Sequence, residues 1–296
     1  MGIPRRRRLH WTILLLALPA CHAATPHPRD PGNLAAAALP FRVLRMPGGQ
    51  EVTFDELSRT LSEARAVCLG ESHNNPHHHW LQHRLLEELG RRSPPGSLAL
   101  GMEMFQRPFQ GVLDDFSSGK LDEVVFLSRT GWKKRWGFDY AFYRPMIELA
   151  RKLGSPLLAL NAPAELTRKI AKEGLAALSS DERAALPEVL DLASERHRGF
   201  FRVATKDHKI AEEDFDKYYG AQVAWDETMA ESAARWLAGG PTRRVAILAG
   251  TAHCHPTAIP ARIAKRVTGT VLSVRPVIDD GEGNVASLIA APESDF

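Results

Sequence analysis

The segment Ala66-Val-Cys-Leu-Gly-Glu-Ser-His73 decides the fold, because a short apolar run ends in a glycine, a carboxylate and a histidine. A second segment, Arg244-Val-Ala-Ile-Leu-Ala-Gly-Thr-Ala-His253, repeats the design, and both end in Gly-x-x-His. Short apolar runs bounded by glycine are typical of buried strands. A third run begins at Leu98 and ends in the carboxylate of Glu103. Ligands of open parallel sheets bind beyond the carboxyl ends of the strands, so we expect these three ends to form one pocket.

Strand and helix patterns alternate along most of the chain. Thr53 and Glu56 form a capping box that opens a first helix, and the apolar runs at 66–69, 98–104 and 156–161 are separated by helical patterns. This alternation predicts a mostly parallel sheet. Residues 164–238 show only helical patterns, and two further strands follow. We therefore predict an α/β fold, a mostly parallel β-sheet flanked by helices, with a helical insertion or subdomain over 164–238.

The first residues have the composition of an export signal. Arg5 to Arg8 are followed by an apolar stretch from Trp11 to Ala20, which is shorter than the roughly 20 residues that a spanning helix needs. Leu18-Pro-Ala-Cys21 is similar to a lipoprotein cleavage box. We expect a lipid on Cys21 that anchors the protein to the bacterial cell envelope. Ordinary export with cleavage after Ala23 is the alternative.

Three segments follow from this pattern: a signal peptide over 1–20, a flexible tether over 21–40 that is rich in alanine and proline, and a folded domain over 41–296. Loss of the signal peptide removes four arginines from the 38 basic residues. The remaining 34 face 35 acidic residues, so the formal charge changes from +3 to −1. The mature chain has no basic excess of the kind that nucleic-acid partners require.

Two cysteines remain after export besides Cys21. Cys68 lies just before Gly70 and Cys254 just after His253. A disulfide between them is compatible with an oxidising compartment. Two small buried apolar side chains on neighbouring strands are the alternative.

Four side chains at the predicted strand ends are candidates for chemistry: Glu71, His73, Glu103 and His253. Mixed carboxylate and imidazole groups bind divalent metals or perform acid/base catalysis.

The helix that follows His73 begins with three histidines. Helical periodicity places His78 and Gln82 on its inward side, from which they could reach the site, and His79 and His83 on its more exposed side.

The stretch from Trp132 to Tyr143 contains a large share of the aromatic residues. Core packing explains such a cluster. Aromatic rings beside phenol oxygens also suit a flat apolar ligand with a metal at its centre. The chain lacks a Gly-x-Ser-x-Gly nucleophile elbow, a Walker loop and a His-Glu-x-x-His zinc helix.

Taken together, several segments resemble the ChaN family of haem-binding, iron-acquisition lipoproteins, within a wider grouping that includes Tiki/TraB and erythromycin-esterase-like proteins. The resemblance rests on Leu69-Gly-Glu-Ser-His73 with His78, His79 and Gln82, on Leu100-Gly-Met-Glu-Met-Phe105, on Trp136 to Tyr143, on Leu160-Asn-Ala-Pro163, on Tyr219 to Ala230, and on Ala249 to His253 with Ile259-Pro-Ala-Arg262.

This resemblance implies a haem-binding protein of the cell envelope that functions in iron uptake, with tyrosine ligation of the iron and haem held between two subunits of a homodimer. Tyr143 and Tyr219 are the candidate ligands, with Tyr140 and Tyr218 beside them, and His78 is a further candidate contact of the cofactor.

The wider kinship also implies an alternative function. Proteins of the Tiki type carry two Gly-x-x-His motifs, so Glu71, His73, Glu103 and His253 could instead serve a metal-dependent hydrolase.

Overall fold

The computed structural model describes residues 39–279 and 281–296. The predicted signal peptide, the lipidation site Cys21 and nearly all of the predicted tether lie outside the described residues. The described chain opens with a two-stranded antiparallel hairpin, β1 (Val43–Arg45) and β2 (Gln50–Val52). Helix α1 (Phe54–Glu63) follows, and its N-terminus has the predicted capping box: Thr53 accepts from the amide of Glu56, whose carboxylate accepts from the amide of Thr53.

The central element is a five-stranded sheet whose strand pairs are all parallel. Its strands are β3 (Ala66–Glu71), β4 (Leu98–Gln106), β5 (Leu157–Asn161), β6 (Arg244–Gly250) and β7 (Val271–Val274). The order across the sheet is β5-β4-β6-β3-β7, which inserts β6 between β3 and β4. Glu71 pairs with Gly250 in the register of β3 and β6, so the two Gly-x-x-His segments end side by side. The predicted α/β class is confirmed.

Helices cover both faces of this sheet. Between β3 and β5 they are α2 (Pro76–Arg92), α3 (Gln110–Ser117), α4 (Glu123–Thr130), α5 (Trp132–Arg135) and α6 (Arg144–Lys152). Between β5 and β6 they are α7 (Ala164–Glu173), α8 (Ser180–Ala184), α9 (Glu195–Ala204) and the 24-residue α10 (Phe215–Ala238). Helices α11 (Ile259–Ala264) and α12 (Asn284–Ala290) lie before and after β7.

Successive side chains of a strand point to opposite faces of a sheet. Along β3, Val67 and Leu69 therefore face α1, α2 and α6, whereas Ala66 and Cys68 face α10 and α11. Helix α2 follows β3 and helix α11 follows β6, so the chain leaves these two adjacent strands towards opposite faces. Ligands of open α/β sheets bind beyond the carboxyl ends of adjacent strands whose connections diverge in this way, and we call this region beyond β3 and β6 the strand-end cleft.

Cys68 and Cys254 form a disulfide, with their Cα atoms 5.3 Å apart. This bond joins β3 to the loop that carries His253, so the alternative of two unlinked thiols does not hold.

Within residues 39–279 and 281–296, no helix is both long enough and apolar enough to span a bilayer.

Candidate functional site

The carboxylate of Glu71 is the centre of the first half of the site. It lies at the end of β3 and is 2% exposed. Its Oε1 accepts hydrogen bonds from the hydroxyl of Tyr143 at 2.6 Å and from Nδ1 of His73 at 2.8 Å. Its Oε2 accepts from Nε2 of Gln82 at 2.9 Å. A buried carboxylate is stable when hydrogen bonds compensate for its lost hydration, and three donors do so here.

His79 lies in this cluster, contrary to the prediction that it faces the more exposed side of α2. Its Nδ1 is 3.6 Å from Oε2 of Glu71, and its ring stacks on Phe142 and meets the ring of Tyr143 edge-on. Helical periodicity identified one buried face of α2. The segment before α6 covers a second face, and this tertiary contact buries His79.

The ring of His73 is partly exposed to solvent. The His73 side chain is 18% exposed and packs against two half-buried rings, with centroids 4.7 Å from Trp136 and 4.9 Å from Phe138. These two rings also contact each other, with centroids 5.5 Å apart. On its other side is Gly250, where an added Cβ would come within 3.0 Å of Cε1 and 3.3 Å of Nε2 of His73. A larger residue at the end of β6 would therefore require the ring of His73 to shift by a few tenths of an ångström.

His253 and Glu103 form the second half of the site. Nδ1 of His253 donates to Oδ1 of Asp226 at 2.6 Å, and its Nε2 lies 3.4 Å from Oε1 of Glu103. The amide of Gly250 donates to Oε2 of Glu103 at 2.7 Å. A Cβ on Gly250 would touch Glu103 as well as His73. The structure thus brings together all four predicted side chains around the end of β6.

A buried chain of polar contacts continues from Asp226 into the helical segment. Oδ2 of Asp226 lies 3.0 Å from Nε2 of His197, and Nδ1 of His197 accepts from the hydroxyl of Tyr219 at 3.2 Å and from the guanidinium of Arg262 at 3.1 Å. Tyr219 is therefore separated from His253 by two intervening side chains.

The pKa of the carboxyl group of Glu71 and the pKa values of the two histidines shift in opposite directions. Burial raises the pKa of Glu71, but the neighbouring His79 and His73 lower it more, to about 2. For His253, burial lowers the pKa, and the charges of Glu103 and Asp226 overcome this and raise it to about 9. The pKa of His73 is also raised. Burial lowers it, but the hydrogen bond to Glu71 and the charge of Glu103 raise it more. Ionised carboxylates thus hold imidazoles that bind protons strongly.

The two tyrosines differ from these groups because burial is the effect that prevails, and it favours the neutral hydroxyl. Tyr143 is 0% exposed, and burial together with the charge of Glu71 raises the pKa of its hydroxyl well above the usual value. Burial raises the pKa of Tyr219 to about 12. Both phenols are neutral hydrogen-bond donors in this arrangement.

His78 faces away from the cleft. Its Nδ1 accepts from the amide of Ser72 at 2.9 Å, and its ring lines a cavity beneath the β1-β2 hairpin. Burial, with a further contribution from His79, lowers the pKa of His78 to about 4. Of the two side chains that periodicity placed inward, Gln82 reaches Glu71, whereas His78 supports the backbone between Glu71 and His73.

The arrangement has the form that metal-binding and proton-transferring imidazoles take in proteins. His73 and His253 each use Nδ1 to contact a buried carboxylate, which fixes the orientation of the ring. Nε2 of His253 faces Glu103. In the described part of the chain, no group of three or more His, Cys, Asp or Glu side chains is arranged to hold a metal ion.

Sequence reasoning missed Asp226 as a site residue. It lies in the interior of α10, in a Trp-Asp-Glu segment that helical periodicity treats as core, and it is 0% exposed. A buried charged residue on a core-facing helix position is the signal that could have identified it, because such a residue needs a partner.

Comparisons with known proteins identify the family and the fold. Residues 57–263 match the family described as "Haem-binding uptake, Tiki superfamily, ChaN". The solved structure of ChaN of Campylobacter jejuni, a protein with cofacial haem binding, superposes with a TM-score of 0.64 at 19% identity, covering 81% of this chain and 92% of that one.

A curated relative is the chloroplastic Protein RETICULATA-RELATED 5 of Arabidopsis thaliana, 26% identical over 225 residues. The match covers 70% of this chain and 30% of the length of that relative. The family match extends over more than half of the chain, so the protein belongs to the ChaN haem-binding uptake family of the Tiki superfamily.

Proposed function

We propose that this protein binds haem in the strand-end cleft and functions in haem or iron uptake. The observation that carries the proposal is the position of His73. Its partly exposed imidazole is anchored through Nδ1 on Glu71 and packs against the rings of Trp136 and Phe138. An oriented imidazole with half-buried aromatic rings suits a planar macrocycle with iron at its centre. Family membership supports the same ligand.

The residues present fit haem through imidazole more directly than through phenol. Tyr143 and Tyr219, the ligands that the family resemblance implies, have buried hydroxyls bonded to Glu71 and His197. Either phenol must leave its partner before it can meet an iron atom. The imidazole of His73 needs only to lose a proton, since its Nδ1 is already held by a carboxylate. Haem bound here would be the cargo of the protein, and its iron would take a nitrogen ligand.

Hemin titration tests this proposal. We expect a Soret shift on addition of hemin to the wild-type protein, and at least a tenfold loss of affinity in His73→Ala. His208→Ala, on a short helix of the helical segment, is the matched control and should bind as the wild type does. Tyr143→Phe and Tyr219→Phe identify the ligand: loss of a phenolate charge-transfer band in either variant would assign the iron to that tyrosine. Absence of a Soret shift in the wild type contradicts the proposal.

The envelope anchor and the dimer are parts of the same proposal. Leu18-Pro-Ala-Cys21 supports lipidation of Cys21 and export to the cell envelope, where haem would be captured. In Cys21→Ser the protein should move from the membrane fraction to the soluble fraction and lose the mass of the lipid. Haem shared between two subunits predicts that hemin doubles the mass measured by light scattering. An unchanged mass at saturating hemin argues for binding within one subunit.

A second candidate function is metal-dependent hydrolysis. The observation that favours it is the pair of carboxylate-anchored imidazoles, His73 and His253, on either side of Gly250. Such a pair could hold or activate a water together with a divalent metal. Elemental analysis of the purified protein tests this function: a stoichiometric divalent metal that is lost in His253→Ala supports it, and its absence from the wild type argues against it.

A further inference from the structure

We propose that a second cavity, separate from the strand-end cleft, binds a fatty-acid-like molecule with an apolar chain and a carboxylate head group. The cavity lies between the β1-β2 hairpin, the first turns of α2 and the C-terminal residues, and its volume is about 520 Å³. Pockets for small ligands have volumes of about 300–1,000 Å³. The cavity is therefore large enough for a single acyl chain.

The lining is mostly apolar. It includes Phe41, Leu44, Trp80, Leu81, Val277 and Leu288. Seven large apolar side chains are exposed within residues 39–279 and 281–296, and three of them, Phe41, Val277 and Ile278, line this one cavity. A concentration of exposed apolar side chains at the rim of a pocket is typical of a binding surface for an apolar ligand.

The imidazole of His78 supplies a hydrogen-bond donor in the wall. Its Nδ1 accepts from the amide of Ser72 at 2.9 Å, so in the neutral ring the proton is on Nε2. The residue is 5% exposed, and its Nε2 is buried without a hydrogen-bond partner in the described structure. A buried donor without an acceptor costs free energy, which an acceptor oxygen of a ligand would recover.

Two guanidiniums in the lining favour a carboxylate as that acceptor. Arg275 pairs with Glu293, and Arg42 lies 3.6 Å from Asp279. The partners Asp279 and Glu293 line the same cavity, and Arg42 also lies 3.9 Å from Glu51. A guanidinium has five N–H donors and each carboxylate occupies at most two of them, so at least one donor of Arg42 and three of Arg275 remain for a further anion. An apolar chain ending in a carboxylate matches this combination of lining and donors.

Dodecanoate binding to the mature full-length chain, measured by isothermal titration calorimetry, tests the proposal. Leu288→Trp places an indole in the cavity from α12 and should abolish binding. Ala286→Trp adds the same side chain at an exposed position of the same helix, and its affinity should equal that of the wild type. In His78→Phe the affinity should fall at least tenfold, because the donor is lost while a ring remains. Dodecanol should bind the wild type at least tenfold more weakly than dodecanoate.

Three results would overturn the proposal: no heat of binding for dodecanoate with the wild-type protein, equal affinities of Leu288→Trp and Ala286→Trp, or full displacement of dodecanoate by one equivalent of hemin. The last outcome would assign the cavity to haem. The proposal is independent of haem binding in the cleft, because Leu288→Trp should leave hemin binding unchanged and His73→Ala should leave dodecanoate binding unchanged.

Discussion

Asp226 and His253 are 27 positions apart in the sequence, and the carboxylate of the one holds the imidazole of the other at 2.6 Å. Asp226 is on α10, within the helical segment, and His253 follows β6 of the sheet. A helix of the helical segment therefore holds in place a histidine that follows a strand of the sheet. The helical segment is part of the site and does more than cover the sheet.

Asp226→Asn should lower the free energy of unfolding by about 3–5 kcal/mol, because it leaves the buried imidazole of His197 and the half-buried imidazole of His253 without their anion. It should also bring the pKa of His253 down from about 9, since one of the two carboxylates that raise it is gone. Urea denaturation and NMR titration of the histidine measure the two effects. Asp216→Asn, at an exposed position of the same helix, is the control. Equal stability of the two variants would contradict a structural role for Asp226.

Stability should fall on both sides of a broad pH optimum. The pKa of His253 is raised from 6.5 to about 9, so its stabilisation is complete below pH 6.5 and is lost as the pH rises through 9. The pKa of Glu71 is lowered from 4.5 to about 2, so its stabilisation is present above pH 4.5 and is lost as the pH falls through 2. Urea unfolding across this range tests both limbs. His253→Gln should flatten the alkaline limb most, and Glu71→Gln the acid limb most. Each variant should also weaken the other limb, because Glu71 raises the pKa of His73 and His253 lowers the pKa of Asp226.

Gly250→Ala should displace the ring of His73, because the new methyl group would lie 3.0 Å from Cε1. Crowding of a packed site costs about 1–3 kcal/mol. We expect this loss in the free energy of unfolding, together with weaker hemin binding. Gly111→Ala adds a methyl group where nothing lies within 4 Å, on helix α3, and should be neutral or slightly stabilising. A fully stable Gly250→Ala with unchanged hemin affinity would show that the ring has room to move.

Tyr143→Phe should destabilise the protein by about 1.5–3 kcal/mol, since it removes a hydrogen bond to an ionised carboxylate. It should also raise the pKa of Glu71, which the hydroxyl helps to lower. Chemical denaturation with an acid titration of stability measures both changes. Tyr140→Phe, whose hydroxyl has no hydrogen-bond partner in the described structure, is the control and should unfold as the wild type does.

The disulfide should stabilise the fold by about 2–5 kcal/mol, because it closes a long loop in the unfolded chain. Reduction should lower the melting temperature, and Cys68→Ala with Cys254→Ala should do the same while making the protein insensitive to reductant. If the oxidised and reduced proteins melt together, the bond contributes nothing to stability.

Part of this site follows from local sequence and part does not. The Gly-x-x-His segments predicted strand ends that meet, because the carboxyl ends of parallel strands lie at one edge of a sheet. The two segments lie side by side because β6 is inserted next to β3, between β3 and β4, and no local sequence pattern predicts this strand order. His79 was wrongly placed on an exposed side because helical periodicity registers one buried face, whereas α2 is covered on two. Asp226 was missed because its position on α10 has the periodicity of a core residue and because its partner, His253, is 27 positions away in the sequence.

The insertion of β6 between β3 and β4 has a consequence for the order of synthesis. Until residues 244–250 have been made, the growing chain has a gap at the middle of its sheet, and β3 has neither of its final neighbours. Contacts between such distant segments form late and slowly. Cys68 is synthesised long before Cys254, and Cys21 is the one other thiol in the chain. Early attachment of a lipid to Cys21 would remove the competing thiol and leave Cys68 to its native partner.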